Sequence, residues 1–186
     1  MGNNVVTLTD LNQEIIRREL EKRKESKIYA DNFWEYCKKS DPEFFFDDKT
    51  LLMDLANKLQ LVKEKKIRKL AVSMYPRAGK SYTISLFCSW LLGNNPDGCV
   101  MRNAYGDHLA NKFSYDVRQM INQDLFKTTF EGVRLSKQKK SLDCWALNTS
   151  KQFAYFGSGV GGTTTGFGCN LAGIVDDPIK NIADAM

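Results

Sequence analysis

The sequence predicts an α/β fold in which a parallel β-sheet is flanked by helices and preceded by a helical segment at the N-terminus. Three observations lead there. Residues 10 to 62 carry apolar side chains at helical spacing, short apolar runs alternate with helix-like stretches from Leu70 onward, and turn formers such as NNPDG and DDP punctuate the alternation. Strand–helix–strand alternation needs crossover connections, and crossovers place helices on the faces of parallel strands.

Taken in order, residues 10 to 26 are rich in Glu, Lys and Arg, with Leu11, Ile15, Ile16 and Leu20 on one stripe. That spacing predicts an amphipathic helix with Thr9 or Asp10 as its N-cap. A second helix is expected over Tyr29 to Lys38, presenting Phe33, Trp34 and Cys37, and Asp41-Pro42 ends it. The aromatic run at 44–46 reads as a core anchor. Residues 50 to 62 repeat Leu51, Leu52, Leu55, Leu59 and Val62 at helical spacing, and the basic run KEKKIRK (63–69) reads as the solvated end of that helix. LAVSM (70–74) is expected as a strand, residues 81–93 as a buried helix, and CVMRNA (99–104) as a strand. Asp107 is expected to cap a helix running to about Ile121. Short strands separated by SKQKKS and NTS are expected over 128–157, and LAGIV (171–175) as a last strand ended by Asp176-Asp177-Pro178. The domain organisation this implies is a helical segment over 1–48 and an α/β domain over 49–186.

Composition narrows the classes. A chain of 186 residues is long enough to bury one sizeable core, and a net charge of +5 permits nucleic-acid contact without requiring it. The cysteines, at 37, 88, 99, 144 and 169, form no CxxC pair, so they read as reduced thiols rather than a metal or redox motif. His108 is the only histidine and reads as a surface residue, so nothing supports a Ser/His/Asp triad or a histidine-rich metal site. The N-terminus, MGNNVV, has neither a secretory h-region nor the Ser or Thr of a myristoylation motif. The best apolar run, ISLFCSWLL, has nine residues, too few for a membrane span.

Chemistry is concentrated at two strand ends. Gly79, Lys80 and Ser81 follow the apolar run LAVSM and open an apolar helix. A glycine-bearing turn at a helix N-terminus offers backbone N–H groups to phosphate, the lysine reaches the β/γ-phosphates, and the serine hydroxyl ligates Mg²⁺. The full phosphate-loop pattern begins with a further glycine, where Met74 stands here. LAGIVDD supplies the acidic strand end that such a site also needs: Asp176 to hold Mg²⁺ and Asp177 to polarise the attacking water. The glycine-rich stretch 157–168 permits close backbone approach to a polyanion, or is simply a flexible loop. It is not a dinucleotide fingerprint, because a strand follows it rather than a helix.

These residues together resemble the large subunits of tailed-bacteriophage terminases. KIRKLAVSMYPRAGKS is similar to the family's strand and variant phosphate loop, PPRxGKS, which has no first glycine. The stretch from WLLGNNPDG to FSYDVRQMI resembles the next helix, strand and helix, and GVGGTTTGFGCNLAGIVDDPIKN resembles the acidic strand and its DDPIKN signature. The likeness covers about residues 28 to 186.

The resemblance implies a P-loop NTPase of the additional-strand type, using ATP and Mg²⁺ to drive double-stranded viral DNA into a capsid. Carried over residue by residue, it implies that Pro76, Arg77, Ala78, Gly79, Lys80 and Ser81 bind the nucleotide, and that Ser81 and Asp176 hold the metal. Lys80, Arg77 and Asp177 would serve catalysis, Asp177 standing where many members have glutamate. Implied partners are viral DNA, a portal protein, a small terminase subunit and further copies in a homo-oligomeric ring, with no membrane, in the cytoplasm of a bacterial host. Three departures stand out. Tyr75 replaces the loop's usual first proline, Phe167 stands where some relatives have an arginine, and the family's coupling strand and nuclease lie beyond residue 186. The resemblance therefore implies a C-terminally truncated domain with open sheet edges and poor ATP hydrolysis on its own. A helicase-like DNA-remodelling ATPase, or an inactive remnant that binds nucleotide or DNA, are the competing readings.

Overall fold

The structure, a computed structural model, describes residues 8–162, 166 and 168–179. Five strands, β1 (Val100–Ala104), β2 (Leu135–Lys140), β3 (Cys144–Leu147), β4 (Tyr155–Gly159) and β5 (Ala172–Val175), form one open sheet in the order β2-β3-β4-β1-β5. The expected all-parallel sheet is corrected to a mixed one. β4, β1 and β5 run parallel, whereas β2 with β3 and β3 with β4 pair antiparallel. The connections from β2 to β3 and from β3 to β4 are too short for crossovers, so those strands fold back as hairpins. SKQKK, expected as a separator, is most of β2; at the edge of a sheet a lysine-rich strand is well tolerated.

Helices α1 (Leu8–Asp31), α2 (Phe33–Ser40), α3 (Thr50–Lys63), α4 (Lys80–Asn94), α5 (Asp107–Asn122) and α6 (Asp124–Thr129) complete the α/β architecture. The first helix is longer than its stripe predicts, so Thr9 and Asp10 lie inside it rather than capping it. The second starts at Phe33 because the Asn32 side chain accepts from the Glu35 N–H and caps it there. Asp107 is the first residue of α5 and not its cap; its carboxylate accepts instead from the Gly159 N–H at 2.7 Å. The short helix α6 was not expected; Phe126 anchors it in the core.

One core joins the helical N-terminal part to the sheet. Phe33 packs on Phe87 and Trp90 with ring centroids 5.3 and 5.1 Å apart, and Trp145 stacks on Tyr155 at 5.1 Å. Each such side chain, fully buried, stabilises the fold by about 1.5–3 kcal/mol. Helix α4 runs through this core, with every residue from Thr83 to Gly93 buried, which is why its sequence lacks a polar face. Within 44–46, Phe45 is buried and Phe44 packs against the core, while Phe46 is exposed. The stripe on α1 finds no such partner among the described residues: Leu11, Ile15, Ile16 and Leu20 are exposed.

LAVSM at 70–74 is extended but is not a strand of the sheet. Its alternation does match its burial, because Leu70, Val72 and Met74 pack on the core while Ala71 and Ser73 face out. Its backbone has no ladder to join, since β5 pairs with β1 and with nothing else among the described residues. Between β5 and this segment lies an open slot of about 470 Å³, walled by Leu70, Val72, Ile84, Phe87 and Ile174. Periodicity predicted which side chains turn inward, but pairing needs a neighbouring strand as well.

Candidate phosphate site

The chain leaves the core at Met74 and turns through 75–79 before α4 begins. Arg77 (φ 64°) and Gly79 (φ 95°) both adopt the left-handed region. Gly79 is required there twice over. Its positive φ disfavours any side chain, and a Cβ would lie 2.5 Å from the Phe44 ring. Among the described residues no side chain caps α4, and the free N–H groups of a helix's first turn favour an anion there. The loop and the start of α4 line a cavity of about 540 Å³, shared with Phe44, Tyr82 and Asp177.

The floor of the loop is aromatic. Phe44 and Phe45 pack on Tyr82 with ring centroids 5.3 and 5.5 Å away, and the Tyr82 hydroxyl donates to Asp41 at 3.2 Å. Burial and the Asp41 carboxylate push the Tyr82 hydroxyl up to about 12. Tyr82 therefore remains a neutral donor, and segment 41–45 braces the loop from below.

The end of β5 arrives from the opposite side. The Asp176 N–H donates to Asn103 and the Tyr105 N–H to Asp177, so the acidic pair is tied to β1 by its backbone. Asp177 is exposed with φ 48°, a strained conformation of the kind found at functional sites. Lys80 bridges the pair, 2.7 Å from Asp177 Oδ1 and 3.3 Å from Asp176 Oδ1. Burial alone would lower the Lys80 pKa, but the two aspartates outweigh it and hold the ammonium above its ordinary value.

Asp176 is 2% exposed. Its burial acts to raise the carboxyl pKa, yet hydrogen bonds from Arg102 and Ser81, with the charges of Arg102 and Lys80, bring it below the ordinary value. It is thus an ionised carboxylate in a dry place. Arg102, on β1, is wholly buried and donates to Asp176 Oδ2 at 2.6 Å.

The structure therefore brings Lys80 to both Asp176 and Asp177, and Lys80, Ser81 and Asp177 share one cavity with Pro76, Arg77, Ala78 and Gly79. His108 is exposed at the start of α5. Within the glycine-rich stretch, Gly157–Gly159 belongs to β4 rather than to a loop. Thr163–Thr165 and Phe167, along with the KN of the DDPIKN signature, fall outside the described residues. Sequence reasoning missed Arg102, Phe44 and Tyr82. A signal for Arg102 was present: in V-M-R-N-A it shares the inward face with Val100 and Ala104, where a cation needs a partner.

The residues fit a hard divalent cation of modest demands. The Ser81 hydroxyl at the start of α4 and the Asp176 carboxylate at the end of β5 offer two oxygens from neighbouring elements; among the described residues no cluster of three or more His, Cys, Asp or Glu is found. Two protein oxygens, with substrate phosphates and water completing the shell, suit Mg²⁺. No protein-family model, curated protein or solved structure matches the chain. Among the described residues, no helix is long and apolar enough to cross a membrane.

Proposed function

We propose that this chain is the ATPase motor portion of a phage terminase large subunit, a P-loop ATPase acting on double-stranded DNA. The observation that carries the ATPase reading is the convergence of Lys80 on Asp176 and Asp177 beside the 75–81 loop. A lysine at a helix N-terminus, facing an acidic strand end, is the charge arrangement that nucleotide phosphates and a divalent cation require. The DNA-packaging assignment rests on the resemblance of YPRAGKS and DDPIKN, in that order, to the terminase motifs.

On this reading Lys80 exchanges Asp177 for phosphate oxygens, assisted by the N–H groups of Gly79, Lys80 and Ser81 and by Arg77. Asp177, released, accepts a hydrogen bond from the water that attacks the γ-phosphorus as the β–γ bridging P–O bond breaks. Ser81 and Asp176 would hold Mg²⁺, which supplies charge neutralisation at the phosphates. Phe44 and Tyr82 exclude water from below the loop.

Titration with a fluorescent ATP analogue tests the reading. The wild-type chain is expected to bind and Lys80→Ala to lose binding; equal affinity in both would remove the loop assignment. ATP turnover stimulated by double-stranded DNA over single-stranded DNA is expected of a packaging motor, and the reverse preference would favour a helicase-like enzyme.

A further inference from the structure

Arg102 is an expensive residue for the middle of a parallel strand. Its neighbours on the inward face of β1 are Val100 and Ala104, all three wholly buried, and an apolar side chain would fill the space without desolvating a charge. Its guanidinium reaches three elements at once. One nitrogen (Nη2) donates to Asp176 Oδ2 at 2.6 Å and to the Ser81 carbonyl at 3.2 Å; the other (Nη1) donates to Ser85 Oγ at 2.7 Å. Ser85 Oγ in turn donates to the same Ser81 carbonyl at 3.0 Å. The ring of Phe113, on α5, covers the cation, with the guanidinium carbon 3.7 Å from its centroid.

The geometry points to Arg102 as the positioning residue that fixes the carboxylate of Asp176 against the first turn of α4, so setting the spacing of the two oxygens that receive Mg²⁺. This rests on the ATPase reading above. The guanidinium occupies Oδ2 and leaves Oδ1 to Lys80. The planar fork is what allows one side chain to grip a carboxylate and a helix backbone together. Arg102 touches neither nucleotide nor metal in this arrangement; it acts through Asp176 and Ser81. Lysine in its place could satisfy Asp176, but one ammonium cannot reproduce the three-point fork to Ser81 and Ser85.

The test compares Arg102→Lys and Ser85→Ala with wild type by titrating the fluorescent ATP analogue, once in EDTA and once across a Mg²⁺ series. The readout is the Mg²⁺ midpoint, together with the ratio of nucleotide affinities with and without the metal. A merely structural role lowers both affinities together and leaves the ratio unchanged. A positioning role raises the midpoint, by about tenfold for Arg102→Lys and less for Ser85→Ala, as expected for groups that orient metal ligands. Circular dichroism establishes that each variant is folded; if Arg102→Lys is not, Ser85→Ala decides, because it removes the hydrogen bonds to Arg102 and to the Ser81 carbonyl but no charge. Wild-type midpoints in the folded variants would overturn this proposal alone. Failure of the wild-type chain to bind nucleotide would overturn the ATPase reading and this proposal with it.

Discussion

Arg102 and Asp176 form an ion pair at 2.6 Å with side-chain exposures of 0% and 1%, joining the middle of β1 to the end of β5. Both charges are buried; the carboxylate also faces Lys80 at 3.3 Å, whereas Asp176 is the carboxylate that neutralises the guanidinium. Truncating one partner leaves an uncompensated buried charge, which costs about 3–5 kcal/mol. Asp176→Asn is expected to lower unfolding free energy by that amount in urea titrations followed by tryptophan fluorescence, and Arg102→Met by less, because Lys80 still faces the carboxylate. The double variant Arg102→Met/Asp176→Asn, with both charges gone, is expected to lose much less than the sum. Additive losses would mean that the two residues contribute independently.

Gly79→Ala probes the loop from a different side. The new Cβ meets Phe44 Cζ at 2.5 Å and Cε1 at 2.9 Å, and the backbone there has a φ of 95°. The left-handed strain contributes about 1–2 kcal/mol and the collision adds to it. Loss of stability in urea and weakened binding of the ATP analogue are both expected. Removing the obstacle in Gly79→Ala/Phe44→Ala should not restore the wild-type loop, because the φ strain persists and the aromatic floor is gone. Full recovery of nucleotide affinity in that double variant would show that the steric contact alone made glycine necessary.

The fold and the site were legible in the sequence to different depths. Where burial follows a period, the elements emerged nearly complete: α3, α4, α5, β1 and β5 lie within one or two residues of their expected bounds. What the pattern could not convey is pairing. LAVSM alternates as a strand does and buries alternate side chains, yet no neighbour among the described residues completes its ladder. LSKQKK has almost no apolar signal, yet pairs with CWAL because the intervening turn is short. The lysine and acidic strand end of the site were visible because their chemistry is written in local motifs. Arg102, Phe44 and Tyr82 were not, because their roles arise from long-range contacts between segments such as 41–45 and 75–82. Only the inward register of Arg102 hinted at a buried partner.

The pH response of stability should carry the signature of Asp176. Its folded-state pKa lies below the ordinary 3.8, since the Arg102, Lys80 and Ser81 interactions overcome the opposing effect of burial. A depressed carboxyl stabilises the fold above its unfolded value and loses that contribution as pH falls through the folded one. Thermal unfolding of wild type and Asp176→Asn between about pH 7 and pH 3 should therefore show a gap that is constant above about pH 5 and narrows progressively as pH falls past the ordinary 3.8. A gap that widens on acidification would mean that the carboxyl is protonated in the native state.

The cysteines offer a reporter of how firmly α4 is seated. Thiolate is the reactive form, so a thiol that is both buried and raised in pKa is inert in the native fold. Burial drives the Cys88 thiol up to about 11, with the nearby Arg102 charge pulling the other way, and raises Cys37 well above its ordinary value. Cys144 is buried as well, whereas Cys169 is exposed and Cys99 intermediate. Burial, and then the neighbouring Cys169, raise Cys99. Alkylation near neutral pH, mapped by peptide mass spectrometry, is expected to label Cys169 first and Cys99 more slowly. Cys37, Cys88 and Cys144 should react only on unfolding. Cys88 is the informative position, because it lies on the helix that Arg102 grips through Ser81 and Ser85. If that grip holds α4 in place, Arg102→Met should label Cys88 faster than wild type while Cys169 is unchanged. Equal Cys88 rates in the two proteins would mean that packing around Trp90 and Phe87 holds the helix without the arginine.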